Sequence, residues 1–222
     1  ASFVTQHQGK SVNPKRQESA HAHVIALETP EKIAVCDLGL DKILFYQLDA
    51  ENKQLIIKEQ DTLKVPAGNG PRHIVFHPKG NYAFVINELT ATISVLKKTD
   101  EKWMLKETLS ALPDTYSGEP AGSAIRVHPS GRFVYSGNRG HDSIAIFHFD
   151  ENSGSIKLVE HQLSGGKTPR EFDLSTDGQW LLTANQDSDS IVVFRVDEES
   201  GKLEKKREYQ VKSPGCLKWI TH

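Results

Sequence analysis

Cysteine is scarce in this chain. Cys36 and Cys216 are the only two in 222 residues, neither in a metal-type spacing nor numerous enough for a disulfide framework. That usage points to a reducing compartment, the cytoplasm, rather than to secretion. No charge of one sign predominates: 27 basic residues stand against 29 acidic ones, a net charge of -2, so the basic stripe that usually marks a nucleic-acid partner is missing. No apolar run approaches the ~18 residues that would span a bilayer, and no basic-then-apolar leader precedes the first expected strand. A soluble protein without nucleic-acid or membrane partners is the expectation. Met104 is the only methionine and the chain opens on Ala1, which reads as a processed or cut start. Also missing are a glycine-rich phosphate loop, a serine nucleophile elbow, a reactive-cysteine motif and any sustained helical spacing.

What is present is a repeat. From Gly70 to Leu96 the sequence GPRHIVFHPKGNYAFVINELTATISVL reads as three strands, Arg72 to His77, Tyr82 to Asn87 and Thr92 to Leu96, with a tight turn at Pro78-Lys79-Gly80. Gly80 recurs as Gly131 and Gly178, at separations of 51 and 47 residues, and the same shifts superpose Asn87, Asn138 and Asn185, then Ile93, Ile144 and Ile191. An earlier, more degenerate copy places Asp37 in the asparagine slot and Ile43 in the isoleucine slot. A period in the high forties built of short β-rich runs is the signature of a propeller of four-stranded blades. The expected fold is therefore an all-β propeller, a single partial domain over residues 1–222 with repeats at about 21–65, 70–111, 120–163 and 168–211.

Around the repeats, Ser2 to His7 alternates briefly and reads as a strand, and Gly9 to Ala20 is polar and aperiodic, which reads as an exposed loop. Gln54 to Leu63 is expected as one fourth strand. Asp150 to Gly154 and Asp197 to Gly201 read as solvent-facing hairpin loops, and Ser213 to Trp219 resembles the opening of a fifth copy. An open arc would expose blade faces and strand edges, so self-association is expected.

The copies serve as an internal control, because a residue type present in every blade is explained by what every blade needs. Asn87, Asn138, Asn185 and Asp37 are read as turn-bonding scaffold, as are Asp41, Asp142 and Asp189. Trp180 and the Phe76, Phe84, Phe133, Phe147 and Phe194 rings are expected between blades. The singletons remain. Hairpin geometry brings the start of a blade's first strand to the end of its second, so Arg72 should meet Glu88 near the propeller axis. The corresponding places in the other blades hold Arg170 with Gln186, Ser123 with Arg139, and Ala22 with Leu38. His21 and His23 bracket the last of these places and His73 adjoins Arg72, whereas His77 and His128 fall at the opposite, hairpin end. The plainer role for Arg72 and Glu88 is a salt bridge, and a loop-end arginine is expected to bury little. His21-Ala22-His23 offers two imidazoles without a third ligand nearby, so no metal is expected.

At His21-Ala22-His23, Asp37-Leu38-Gly39-Leu40-Asp41, Gly70-Pro71-Arg72-His73 through Gly80, Asn87-Glu88-Leu89, Asn138-Arg139-Gly140-His141-Asp142, Thr168-Pro169-Arg170 and Ala184-Asn185-Gln186, the sequence resembles the lactonase, seven-bladed β-propeller family. That family is typified by bacterial 6-phosphogluconolactonase, with a fungal carboxymuconate cyclase as a divergent relative. The resemblance implies hydrolysis of a small phosphorylated sugar lactone, 6-phospho-D-glucono-1,5-lactone, in the pentose phosphate pathway, with no metal or organic cofactor. It implies a site of His21 or His23, Arg72, Glu88 and Arg139. Seven blades need roughly 340 residues, whereas four blades and single strands at either end are legible here.

Within that resemblance Glu88 or a histidine would take a proton from water, Arg72 would stabilise the oxyanion, and Arg139 or Arg170, with His73 beside them, would bind the substrate's phosphate. Two alternatives stay open. A cyclase-like isomerase would use the same charges on a carboxylated lactone. A non-catalytic scaffold would present a broad apolar or aromatic face instead of these charged loops.

Overall fold

The computed structural model describes residues 4–57 and 62–220. The first sheet holds Ala22–Thr29 (β1), Lys32–Asp37 (β2), Lys42–Asp49 (β3) and Gln54–Ile57 (β4), with Leu63–Lys64 (β5) also pairing with β3. The second holds Pro71–Phe76 (β6), Tyr82–Asn87 (β7), Thr92–Thr99 (β8) and Lys102–Ser110 (β9). The third is Gly122–Val127 (β10), Phe133–Asn138 (β11), Ser143–Asp150 (β12) and Ser155–Leu163 (β13). The fourth is Pro169–Leu174 (β14), Trp180–Asn185 (β15), Ser190–Val196 (β16) and Leu203–Gln210 (β17). All pairs are antiparallel and follow chain order, and β1, β6, β10 and β14 neighbour one another in succession at the inner edge. The architecture is that of four propeller blades, as the repeat predicts.

Position in the blade explains the hydropathy of each strand. The second strands are flanked on both faces, so β7 (YAFVIN) and β11 (FVYSGN) are buried at every residue, while the outermost β17 (LEKKREYQ) is exposed beyond its first residue. The cores lie between blades. Cys36, Ile43 and Phe45 meet Ile74, Ala83 and Val85 between the first and second. Phe84, Ile86 and Ile93 meet Val134, Phe147 and Phe149 between the second and third. Phe133, Tyr135 and Ile144 meet Phe172, Leu181 and Phe194 between the third and fourth. Trp180 departs from the expectation: it lies in none of these cores, and Arg195 sits 5.1 Å from its ring centroid.

The recurring polar residues join one blade to the next. Asp41 accepts from the backbone amides of Gly68 and Gly70, ahead of the second blade. Asp142 accepts from Thr168 ahead of the fourth, and Asp189 from Ser213 after it. These aspartates adopt φ of 54°, 54° and 51°, a left-handed conformation that Asp tolerates better than most residues. At the opposite end of the strands, His128 packs on Gly178 of the next blade and its Nε2 lies 3.2 Å from the Gly178 carbonyl oxygen. His77 packs likewise on Gly131.

Several expectations are corrected. Residues 4–7 form no strand and have no partner strand beside them among the described residues; His7 instead sits between Asp37 and Tyr46, at 2.6 and 2.7 Å, while Ser2 and Phe3 lie outside the described residues. Of the expected fourth strand of the first blade, β4 and β5 both pair with β3, and residues 58–61 between them lie outside the described residues. Gly9 to Ala20 is irregular as expected but not simply exposed: Gln17 is fully buried and donates to the Leu38 carbonyl at 2.8 Å. The hairpin loops after β12 and β16 are not wholly solvent-facing, since Gly154 and Gly201 are buried against the Tyr82 and Phe133 rings of the preceding blades. Residues 213–219 form no strand, there being no second strand for them to pair with among the described residues. The outer face of the first blade is partly covered: Ile33, Val35, Leu44 and Tyr46 are buried, whereas Ile25 and Leu27 of β1 and, to a lesser degree, Leu48 and Ile57 are exposed on it.

Gly178 has φ of +75°, and a Cβ there would lie 2.4 Å from His128 Nε2. Gly178→Ala should therefore cost about 2 kcal/mol or more, of which the left-handed backbone accounts for about 1–2 kcal/mol. In a His128→Ala background the penalty should shrink toward the backbone part, a coupling of about 0.5–3 kcal/mol in urea unfolding. Equal penalties in both backgrounds would show that the two blades are not latched there.

Candidate active site

Each innermost strand opens with a β-bulge. Pro71 pairs with Asn87 and His73 with Ile86, leaving Arg72 unpaired, and the same slip leaves out Arg170 between Pro169 and Glu171 and His23 between Ala22 and Val24. A bulge turns two successive side chains out of the normal alternation and is a common way of aiming a residue at a site. The register also corrects the sequence alignment by one residue. Because Ala22 pairs with Asp37 as Pro71 pairs with Asn87, the residue equivalent to Arg72 is His23, not Ala22.

Glu88, directly after β7, is the centre of the cluster. Its Oε2 accepts from Arg72 Nε at 3.0 Å and lies 3.2 Å from Arg139 Nη2, and its Oε1 accepts from Arg16 Nη2 at 2.5 Å. His23 Nε2 stands 3.9 Å from Oε2, within ion-pair reach but beyond a hydrogen bond. Glu88 and Arg72 are only 5% and 3% exposed, which overturns the expectation that a loop-end arginine buries little. The burial follows from the bulge, which points Arg72 across the inner edge toward the next blade, where Nη1 donates to the Ser123 carbonyl at 2.6 Å. Arg139 is fixed in a similar way, Nη2 donating to the Gly122 carbonyl at 2.9 Å. Its Nε is buried without a hydrogen-bond partner among the described residues.

Protonation follows from these contacts. Burial alone would raise the Glu88 carboxyl, but the Arg16 hydrogen bond and the charges of Arg139, Arg72 and Arg16 outweigh it and hold the group below its ordinary value. Burial, reinforced by Arg139 and Arg170 and opposed by Glu88, lowers Arg72 to about 10, so it remains a cation near neutrality. Burial and the adjacent Arg72 charge push His73 down to about 2, so it is neutral, and it lies 2.8 Å from Arg72 Nη1 as an acceptor. Burial and the Arg72 charge also lower His23, with Glu88 opposing. The rings of His23 and His73 meet edge to face at 5.3 Å.

The structure thus brings together Arg72, Glu88, Arg139, His23 and His73. It separates the two candidate histidines: His21 turns away to Glu18, at 2.9 Å. Arg170 makes no ion pair among the described residues, yet its charge reaches both His23 and Arg72. His77 and His128 lie at the far end, on the glycines of the next blades. Arg16 was not identified from the sequence, because it lies in the aperiodic segment that read as loop. Its one available signal is the neighbouring Asn13-Pro14, a turn former. A second charged group, Arg126 with Glu171 at 3.0 Å and Asp173 at 2.7 Å, also went unnoticed; it links β10 to β14. No three His, Cys, Asp or Glu side chains converge on a metal-sized space among the described residues.

Comparison with known proteins gives consistent results. The family described as Lactonase, 7-bladed beta-propeller matches residues 1–219. A Bacillus subtilis (strain 168) protein named 6-phosphogluconolactonase is 40% identical over 170 residues, 75% of this chain and 47% of that protein. Among solved structures, a protein from Lactobacillus plantarum superposes with a TM-score of 0.89 at 33% identity, covering 96% of this chain and 62% of the other. A periplasmic gluconolactonase of Pseudomonas aeruginosa does so with a TM-score of 0.91 at 30% identity, covering 99% and 62%. The chain spans about half the length of the curated relatives it matches.

Since Glu88 is lowered on folding, the stabilisation it supplies is complete above its ordinary value of 4.5 and is lost as pH falls through the lower folded value. Glu88→Gln strands the buried Arg72 cation and should cost on the order of 3 kcal/mol near pH 7. The gap between variant and wild type should begin to close as the pH falls below 4.5 and go on closing through the lowered folded value. A gap in chemical unfolding that stays constant as the solution is acidified would mean that the carboxylate charge is not what holds the cluster.

Proposed function

Because the chain belongs to the seven-bladed β-propeller lactonase family, we propose that the whole protein hydrolyses 6-phospho-D-glucono-1,5-lactone, and that residues of this chain carry the reaction. The observation that carries the proposal is the convergence of three guanidinium groups on one carboxylate beside a histidine whose pKa is lowered. The names of the Bacillus and Pseudomonas relatives support a lactone of gluconic acid as substrate, and excess positive charge supports its phosphorylated form. The corresponding place in metabolism is the oxidative pentose phosphate pathway, in the cytoplasm, and no cofactor is required by the chemistry.

In this reading His23 is the general base. It is neutral at pH 7 and part-exposed at the rim of the cluster, so it can take a proton from water as the oxygen attacks the lactone carbonyl. Glu88 is a weaker candidate, since a carboxylate held low by three cations is a poor proton acceptor. Its role is to position Arg72 and Arg139. Arg72 keeps Nη2 free of hydrogen bonds among the described residues and would donate it to the developing oxyanion. Collapse of the tetrahedral adduct breaks the bond from the carbonyl carbon to the ring oxygen, which recovers the proton from the His23 imidazolium. Arg139, with its unpartnered Nε, and Arg170 would bind the phosphate.

The test is loss of freshly generated 6-phosphogluconolactone above its spontaneous hydrolysis, with a carboxylated muconolactone as control. Wild-type kcat/KM should be flat near neutrality and fall only below pH 6.5, because the base must be neutral and its pKa is lowered from that value. His23→Asn should remove the acid limb and lower the rate roughly 10²- to 10⁴-fold. Arg72→Lys keeps the charge but not the fork and should lower kcat roughly 10²-fold. A His23→Asn enzyme with the wild-type profile would exclude His23 as base, and turnover of muconolactone alone would replace hydrolysis of the sugar lactone by the isomerase reading.

A further inference from the structure

Arg16 stands apart from the other cations of the cluster. Arg72 and Arg139 are each fixed twice, to Glu88 and to a backbone carbonyl of the third blade. Arg16 is held at its tip alone, by the bond from Nη2 to Glu88 Oε1, and its side chain is 51% exposed. Its backbone, by contrast, is firmly placed. Asn13 Oδ1 accepts from the amides of Lys15 and Arg16, Gln17 N donates to the Asn13 carbonyl, and the buried Gln17 amide holds the segment to Leu38. Ser11 ties the same segment to Asp41 at 2.5 Å. A long cationic side chain is thus anchored at its root and half exposed beside the cluster, with most of its donors unused among the described residues.

Charge balance indicates what those donors serve. Three guanidiniums against one carboxylate leave two positive charges without a partner in the cluster, and the other acidic groups nearby are engaged: Glu171 and Asp173 by Arg126, Asp37 by His7 and the His21 amide. Repulsion among partly buried cations is unfavourable unless an anion relieves it. Of the three, only Arg16 can reorient without breaking a contact to the blade framework.

We propose that Arg16 reads the substrate's phosphate: when the ligand enters, its guanidinium leaves Glu88 or shares it and forms a fork with the phosphate oxygens, while Arg72 and Arg139 stay in place. This makes Arg16 a specificity residue for phosphorylated over unphosphorylated sugar acids and lactones, and it rests on the lactonase reading above.

The test is binding, so that it is decided separately from turnover. Titration calorimetry on the whole protein would compare 6-phosphogluconate with gluconate, the product and its unphosphorylated form, at fixed salt. The wild type should prefer the phosphorylated acid. Arg16→Gln should lower the affinity for 6-phosphogluconate about tenfold or more, as expected for loss of a charge-assisted hydrogen-bonded pair, leave that for gluconate within about twofold, and be only partly restored by Arg16→Lys, which keeps the charge but not the fork. Equal loss for both acids would overturn the proposal and make Arg16 a support for Glu88 and its loop, as would no loss for either, or a wild type that does not discriminate. Failure of the lactonase reading has a different signature: absence of catalysed lactone loss by the wild type, whatever the binding ratio.

Discussion

One buried carboxylate determines how the inner face of these blades is arranged. Glu88 accepts hydrogen bonds from Arg72 on its own blade and from Arg16 on the segment before the first, and pairs with the charge of Arg139 on the next blade. Three stretches that are distant in sequence therefore share a single acceptor. Without that acceptor Arg72 would be a cation at 3% exposure with only neutral partners, a state costing several kcal/mol. The low pKa that follows from this arrangement also decides the chemistry, because the group best placed to hold cations is thereby made unfit to carry protons. The nearby imidazoles are kept neutral by the same burial and the same arginines. One electrostatic arrangement thus yields a cationic cradle and neutral imidazoles side by side.

The blades provide a rigid frame for it through contacts that repeat. Asparagine at the end of the second strand in the second, third and fourth blades bonds to hydroxyls or carbonyls, Asn87 to Thr92 and Ser94, Asn138 to Ala111, Asn185 to Ser164. Aspartates in left-handed turns hold the loops between blades, and histidine-on-glycine contacts hold the other end. These contacts are of one kind in blade after blade. The cluster residues are not: the bulge at the head of the innermost strand carries His23 in the first blade, Arg72 in the second and Arg170 in the fourth. A common backbone irregularity thus carries a histidine in one blade and arginines in two others.

That division explains which features were legible in the sequence. Periodicity revealed the propeller, because Gly80, Gly131 and Gly178 occupy turns with φ near +77° that disfavour other residues, and because two-sided burial makes the second strands apolar. Hairpin geometry brought Arg72 to Glu88. Two things were hidden. The β1–β2 hairpin is one residue shorter than that of the second blade, Leu27 pairing with Ile33 where Phe76 pairs with Ala83, so an ungapped alignment placed Ala22 where the register puts His23. Arg16 has no counterpart in any blade, and its position depends on a long-range contact, the Gln17 amide on the Leu38 carbonyl, that leaves no periodic trace. The same blindness underlies the misjudged burial of Arg72, which is covered by the following blade rather than by its own.

The most direct test of this account is a crystal structure of the whole protein bound to 6-phosphogluconate. The account predicts the ligand on the inner face, its phosphate in contact with Arg16 and Arg139, its carboxylate carbon beside His23 and Arg72, and Glu88 still bonded to Arg72. A ligand bound elsewhere on the blades, or one that occupies this face with its phosphate away from the arginines, would contradict it.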